Sequence, residues 1–248
     1  MNLSDPTPHL SFSMQHRQGT LAFDAAFHLT EPWTVLFGPS GSGKTTVLRA
    51  IAGLMRPAAG QIVLHGEATA TLFDSAAGIS MPAYRRGVRL AAQVAALFPN
   101  MTVRQNVAYG VPTASAEVVE DALQRFRLVG YAESMPWKLS GGERQRVAVA
   151  RAAASAITVG GGLLLLDEPF AGLHLPLRDE LLEDLRSWLA AMKTPVLSVT
   201  HDVGEAFQLG AEVIKFSEGR VVQQGPVETV LAEERTRLLE QLSRLRQS

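Results

Sequence analysis

Between residues 10 and 29 apolar and polar side chains alternate. Leu10, Phe12 and Met14 share one face, Gln18-Gly19 offers a turn, and Leu21, Phe23, Ala25, Phe27 and Leu29 resume the pattern. Successive side chains of a strand point to opposite faces, so this alternation around a glycine turn predicts an antiparallel hairpin. Thr34 to Phe37 is a short apolar run stopping at Gly38 and predicts a buried strand. Lys44 to Leu54 has helical content, with Pro57 as the stop. Gln61 to Leu64 and Val88 to Ala92 predict strands, and the weakly patterned residues 66–87 between them read as loop and short connection. From Val94 to about Val159 the pattern is mostly helical, with Val118, Ala122, Phe126 and Val129 at three- and four-residue spacing. Leu163 to Leu166 and Val196 to Val199 are unbroken apolar runs, as in parallel strands covered on both faces. Between them Leu181, Leu182, Leu185, Leu189 and Met192 mark an amphipathic helix. Glu212 to Phe216 and Val221 to Gln224 flank Ser217-Glu218-Gly219-Arg220 as a second hairpin. The tail from Val227, with Leu238, Leu242 and Leu245, is expected to be a helix packed on its own core.

Strands alternating with helices imply an α/β fold with a parallel core. The hairpins are expected to add antiparallel strands at an edge, and the helical segment stands apart as an insertion. The 248 residues are ample for a core. Lys and Arg number 23 against 24 acidic residues, which argues against a broad nucleic-acid-binding face. There are no cysteines, hence no disulfide framework or thiolate metal site, as in a cytosolic protein. Met1 to Leu10 carries no basic stretch followed by an apolar run. The longest strongly apolar run, around Leu163 to Leu166, falls far short of the roughly 20 residues a membrane span needs. Any membrane role must therefore come through a partner.

Three features carry chemistry. Gly38-Pro39-Ser40-Gly41-Ser42-Gly43-Lys44-Thr45 fits the phosphate-loop pattern G-x-x-x-x-G-K-[ST]. Its glycines let backbone N–H groups converge on phosphate oxygens, and the helix that follows points its N-terminal dipole at the same anion. Lys44 is placed to reach the β- and γ-phosphates, and Thr45 to hold Mg²⁺ through its hydroxyl; Thr46 completes the nucleotide-binding set. Asp167-Glu168 follows the apolar strand, at the strand end where open α/β sheets bind ligands. Asp167 is expected beside Thr45 on Mg²⁺, and Glu168 to orient or activate the attacking water. His201 follows the next buried strand at the same edge and is a candidate partner of the γ-phosphate; a purely structural histidine is the other reading.

Leu139-Ser140-Gly141-Gly142-Glu143-Arg144-Gln145-Arg146 resembles the signature of ABC-type ATPases, and the likeness covers nearly the whole chain. It implies an α/β P-loop NTPase core with a parallel sheet, an antiparallel β subdomain and an inserted helical subdomain. Residues 1–93 and 157–248 would form the nucleotide-binding core, residues 94–156 the helical signature subdomain, and no separate C-terminal regulatory domain is expected. The resemblance further implies ATP hydrolysis in a head-to-tail homodimer, where Leu139, Ser140, Gly141, Gly142 and Glu143 of one subunit cap the nucleotide of the other. Gln93 matches the family's glutamine that reaches Mg²⁺ and the water, Glu168 the catalytic base, and Thr200-His201-Asp202 the switch histidine. Leu97 to Val103 matches the stretch where the helical lobe of importer ATPases meets the permease, so an exposed apolar patch is expected around Leu97 to Met101. Ala83 to Val88 and the run through Tyr109-Gly110 are most similar to the molybdate and sulfate importer group. The implied partners are a membrane permease and a second ATPase subunit, with no nucleic acid and no direct cargo contact. The implied location is cytoplasmic, peripheral on the inner face of the membrane.

Three departures from the family pattern stand out. His174 occupies the place of an aspartate that aligns the two sites across the dimer; it either loosens that coupling, with a pH-sensitive contact, or is a neutral replacement. No aromatic ring stands near His16-Arg17-Gln18 to stack on adenine, leaving His16 or Arg17 to do so, or a polar turn with weak base contact. Gly160-Gly161-Gly162 lengthens the link before Leu163, and no function follows from it. A soluble ABC protein acting on nucleic acid or ribosomes is opposed by the single unit and balanced charge, a weakly hydrolysing regulator by the retained Glu168, Gln93 and His201. A metabolic kinase has no use for the signature.

Overall fold

The computed structural model describes residues 8–245 apart from residues 67, 160, 161 and 211. The alternation in the N-terminal stretch becomes an antiparallel hairpin of β1 (Leu10–Gln18) and β2 (Leu21–Leu29), with Leu10 opposite Leu29 and Gln18 opposite Leu21. Its inward face, Leu10, Phe12, Met14, Phe23, Ala25, Phe27 and Leu29, is buried. Phe12 and Phe27 are direct cross-strand partners with ring centroids 4.6 Å apart, the kind of pair that pins register. After β3 (Trp33–Phe37) and α1 (Lys44–Ala52), β4 (Ala59–His65) pairs with β1. Then β5 (Thr69–Asp74) and β6 (Ile79–Ser80) complete an antiparallel sheet in the order β2-β1-β4-β5-β6.

Residues 66–87 are thus more than loop. The strand β5 escapes a period-two search because its register against β4 slips between Ile62 and Val63, and Leu72 and Phe73 are both buried although adjacent in sequence. The first hairpin also lies in this separate sheet, not at the edge of the parallel one; only the second hairpin takes the edge position.

The chain continues through β7 (Val88–Ala91), α2 (Val103–Ala108), α3 (Ala116–Arg125), α4 (Gly141–Ile157) and β8 (Leu163–Asp167). It ends with α5 (Leu175–Ala191), β9 (Val196–Thr200), α6 (Val203–Leu209), β10 (Glu212–Ser217), β11 (Arg220–Pro226), α7 (Val227–Val230) and α8 (Ala232–Leu245). The second sheet has the order β11-β10-β3-β9-β8-β7, parallel throughout except for β11.

The unbroken apolar runs now have a cause. Leu163 and Leu165 face a core shared with α1 and the inward side of the antiparallel sheet, while Leu164 and Leu166 face a second core with α4, α5 and the helical segment. All four are fully buried. At roughly 1.5–3 kcal/mol per buried leucine, this one short strand contributes about 6–12 kcal/mol of burial, comparable to the net stability of a whole domain. Helices α2 and α3 both pack on α4. Asn106, fully buried on α2, holds residues 98–102 by donating to the carbonyls of Phe98, Met101 and Thr102.

Helix ends fall short of the pattern. Helix α3 stops before Val129 and α5 before Met192, and both side chains are exposed. The tail helix does not settle on the core as expected. Leu231, Lys215 paired with Glu234, and Arg235 over the Phe207 ring anchor its start, but Leu238 and Leu239 are exposed. The side chains of Leu242 and Leu245, and Gly160 and Gly161 of the lengthened link, lie outside the described residues.

Arg86 locks the phosphate helix to the antiparallel sheet. It is buried and donates to the carbonyls of Ala50 and Ile51 at the end of α1 and of Met81. Replacing it with alanine removes these three bonds, leaving the Ala50 carbonyl only the Gly53 N–H, and opens a void. Arg86→Ala is expected to lower stability by about 3 kcal/mol, read from the urea midpoint.

Candidate active site

Strand β3 ends at Phe37, and the chain turns through residues 38–43 into α1, so the loop sits at the carboxyl edge of the parallel sheet. Gly43, the residue before the helix, has φ 103°, and a Cβ there would lie 2.4 Å from the Phe23 ring of the hairpin. Only glycine meets both demands. A second brace comes from the turn between β10 and β11. The Gly219 N–H donates to the Ser42 carbonyl (3.1 Å), and the Gly219 carbonyl accepts from the Asp24 N–H (3.0 Å). Gly219 has φ 77°, and a Cβ would stand 2.3 Å from the Ala22 carbonyl oxygen. The cradle is therefore fixed by backbone contacts from two distant hairpins.

A cavity of about 390 Å³ opens above the loop, lined by Ser40, Gly41, Gly43, Lys44, Thr45 and Thr46 and also by Gln93, Asp167 and Glu168. Gln18, Leu21 and Val199 complete the wall. Gly38, Pro39 and Ser42 belong to the loop but do not line the cavity. The Lys44 ammonium donates to the carbonyls of Gly38 (2.7 Å) and Pro39 (2.8 Å), which leaves its third N–H for an anion. Burial lowers the lysine's pKa, against the pull of Glu168 and Asp167. The Thr45 hydroxyl donates to Asp167 Oδ2 at 2.9 Å, and burial pushes the Asp167 carboxyl upward despite that bond. Hydroxyl, carboxylate and amide oxygens from Thr45, Asp167 and Gln93 are hard donors suited to a magnesium ion that keeps waters and phosphate oxygens as its other ligands.

Glu168 is the hub. Its φ is 48°, a left-handed conformation uncommon for a residue with a side chain and costing on the order of 1–3 kcal/mol. The turn aims the carboxylate across the sheet edge, where Oε1 meets His201 Nδ1 (3.0 Å) and Oε2 accepts from Gln93 Nε2 (3.2 Å). Three loops, after β7, β8 and β9, are joined through this one side chain.

The signature residues are elsewhere. Leu139 is buried in the core, Ser140 caps α4, and among the described residues none of Leu139, Ser140, Gly141, Gly142 and Glu143 lines the cradle. The Ser140 hydroxyl accepts from the Glu143 N–H and the Glu143 carboxylate from the Ser140 N–H, a reciprocal capping box. Helix α4 thus opens as a second anion-friendly N-terminus in a different place.

Other expectations shift. Neither His16 nor Arg17 lines the cavity; from that turn Gln18 does, its Oε1 accepting from the Thr46 hydroxyl at 3.0 Å. Leu97, Phe98 and Met101 are half-buried rather than an exposed apolar patch; exposed apolar side chains nearby are Val94 and, sharing a groove with Phe98, Leu54, Tyr84 and Tyr109. Sequence reasoning also missed Gly219, read only as a hairpin turn, and Glu205. The Asp202-x-x-Glu205 spacing signals a helix start, and the Asp202 side chain does accept from the Glu205 N–H (2.9 Å), yet nothing local says that the Glu205 carboxyl is buried.

The profile of a family described as ABC transporter matches residues 27–171. A molybdenum import ATP-binding protein ModC of Mesorhizobium japonicum is 41% identical over 223 residues, 87% of this chain and 58% of that protein. A molybdate/tungstate import ATP-binding protein WtpC of Archaeoglobus fulgidus is 33% identical over 238 residues, 94% of each chain. A sulfate/thiosulfate import ATP-binding protein CysA of a Synechocystis strain is 41% identical over 205 residues, 79% of this chain and 53% of that protein. The chain thus spans little more than half the length of several of these relatives. A solved ATP-binding subunit of an ABC transporter superposes with TM-score 0.73 at 25% identity, covering 92% of this chain and 93% of the other. The fold is also that of a dimeric ATP-binding cassette bound to ADP and Pi, with TM-score 0.70 at 23% identity over 88% of this chain and 98% of that one.

Burial pushes the Glu205 carboxyl up to about 7 from its ordinary 4.5. The folded protein then binds a proton that the unfolded chain releases. Stability is full below about 4.5 and is lost as pH rises, with about 3 kcal/mol gone above 7. Glu205→Gln is therefore expected to raise the urea midpoint at pH 8 and to change it little at pH 4.5.

Proposed function

This chain belongs to the ABC transporter family, and from that premise we propose that it is the ATP-hydrolysing subunit of a membrane importer for molybdate or a related oxyanion. The cargo reading comes from the relatives that share its sequence. One observation carries the enzymatic part: the phosphate loop, the Thr45–Asp167 pair, Gln93 and Glu168 converge on one cavity, with His201 bonded to Glu168 from outside its wall. ATP seats its phosphates on residues 38–46, with Lys44 donating its third N–H to them. Thr45, Asp167 and Gln93 would hold Mg²⁺, which supplies charge neutralisation at the β- and γ-phosphates. Glu168 orients the attacking water and takes its proton, with its carboxylate held by His201 and Gln93. Catalysis rests on positioning and on charges already in place, with no covalent intermediate.

The signature supports a shared site. A capped helix N-terminus remote from its own cradle is suited to another subunit's nucleotide, so two copies pair head to tail and ATP bridges them. In this reading residues 1–93 and 157–248 are the nucleotide-binding unit and residues 94–156 the signature unit. Among the described residues no helix is long and apolar enough to cross a membrane. In the same reading the permease docks in a groove of about 400 Å³ lined by Leu54, Tyr84, Phe98 and Tyr109, and the subunit works at the cytoplasmic face of the membrane.

Glu168→Gln is expected to cut ATP hydrolysis about a hundredfold and to double the mass seen by light scattering when ATP and Mg²⁺ are added. Hydrolysis at the parent rate sinks the role of Glu168, and a monomer under all conditions sinks the shared site. The Gly219 brace predicts a contrast between two glycine substitutions. Gly219→Ala should weaken ATP binding about tenfold, while Gly78→Ala, with similar left-handed backbone (φ 68°) but open space around it, should leave binding unchanged in a fluorescent-nucleotide titration.

A further inference from the structure

Two of the three tryptophans, Trp33 and Trp188, are 5% exposed, whereas Trp137 is 65% exposed. A lone exposed apolar side chain is ordinary; the place of this one is not. Trp137 sits in a short 3₁₀ turn, Pro136–Lys138, three residues before the signature serine Ser140. Both flanks of the ring are anchored. Pro136 and Leu139 are buried, and the Leu139 N–H donates to the Pro136 carbonyl (3.2 Å). The Leu139 carbonyl in turn accepts from the Arg144 guanidinium of α4 (2.6 Å). The indole is therefore fixed to the signature and left open to solvent. Among the described residues no aromatic ring packs on it and no guanidinium lies over it.

The nucleotide cavity has the complementary gap. Away from the phosphate loop its wall is Gln18, Leu21 and Val199, and among the described residues no aromatic side chain lines it. His16 is engaged elsewhere, half-buried with its ring centroid 6.2 Å from that of Phe23. One chain thus holds an aromatic platform with nothing stacked on it and a nucleotide site without a platform. Head-to-tail pairing brings the two together, because the signature of one copy then stands over the phosphates held by the other. Three residues of chain reach at most about 10 Å, the scale that separates a terminal phosphate from its base. We propose that Trp137 is the base-stacking residue of the shared site, its indole closing over the adenine held by the second copy. The inference rests on the head-to-tail reading. An indole offers a large flat apolar face and a π-system to a purine, at little cost in side-chain entropy when its flanks are already fixed. The stack forms only on closure, so the base strengthens pairing and not the first capture of nucleotide.

The test uses the full chain carrying Glu168→Gln, with Mg²⁺, and reads dimer formation by light scattering during titration with ATP and, separately, with CTP, whose base is a smaller ring. The parent of this series should pair at about tenfold less ATP than CTP. Adding Trp137→Ala should raise the ATP concentration at half-dimerisation about tenfold and bring it close to that for CTP, while Trp137→Phe should stay within about threefold of the parent. Binding of a fluorescent ATP analogue, at protein concentrations too low for pairing, should change less than about twofold in either variant. Indole emission should fall as the parent pairs, and the fall should be absent in Trp137→Phe, since the other two tryptophans are buried. A Trp137→Ala chain that pairs at the parent's ATP concentration overturns the stack. So does one that keeps the parent's preference for ATP over CTP, because Trp137 then packs on protein and not on the base. A loss of the same size in unpaired chains also overturns it, as the mark of a role within the single subunit. The underlying reading fails separately: a parent that stays monomeric with ATP sinks the pairing and the stack with it, whereas a dimer indifferent to Trp137→Ala sinks the stack alone.

Discussion

The parallel sheet is covered on both faces, and this burial places everything else. Within β3, β8 and β9 a polar side chain survives only where a partner waits for it. Ser198 accepts from the Trp33 indole N–H at 2.9 Å, and the Thr34 hydroxyl donates to Glu212 at 3.1 Å. Charges without such partners are pushed to the strand ends. Because the strands run parallel, their carboxyl ends share one edge, and there the phosphate loop, Asp167 and Glu168 come together, with His201 bonded to Glu168. The site is a consequence of how the core excludes charge.

That edge is also held rigid. Glu168 sits in a left-handed conformation that its neighbours enforce, with its N–H bonded to the Val199 carbonyl and its carboxylate shared between His201 and Gln93. The phosphate loop is wedged between the Phe23 ring and the Gly219 turn. A preset cradle does not have to be ordered when phosphate arrives, so binding energy goes to positioning the γ-phosphate.

The two anion-friendly helix ends divide the work. Helix α1 opens on its own chain's cavity, while α4 opens on a surface away from it, capped by Ser140 and Glu143. Gly142 lies so close to Leu173 that a Cβ would meet its side chain at 2.6 Å, which ties the signature to the segment just before His174. His174 starts α5 with an extended backbone and no side-chain capping bond. Nothing within the single chain explains the histidine.

Much of this was legible along the chain. Repeating side-chain period reported the first hairpin and α5, and unbroken apolar runs the buried strands, because these patterns are local consequences of burial on one face or two. The phosphate loop, the acidic pair and the signature were legible because each must be contiguous: converging backbone N–H groups, or a cap and its helix, come from neighbouring residues. The strand β5 was not, since a bulge erased its period, and neither was the separate sheet that takes in the first hairpin, since pairing partners leave no mark on the strand itself. Gln18, Leu21, Gly219 and Glu205 look ordinary in sequence. Their importance lies in what distant elements bring against them: a hairpin turn under a loop, a carboxyl sealed behind a strand end. Local pattern settled most of the elements and which of them carry phosphate chemistry; tertiary packing alone decided which side chains reach the reaction centre, because burial and approach are properties of the assembled chain.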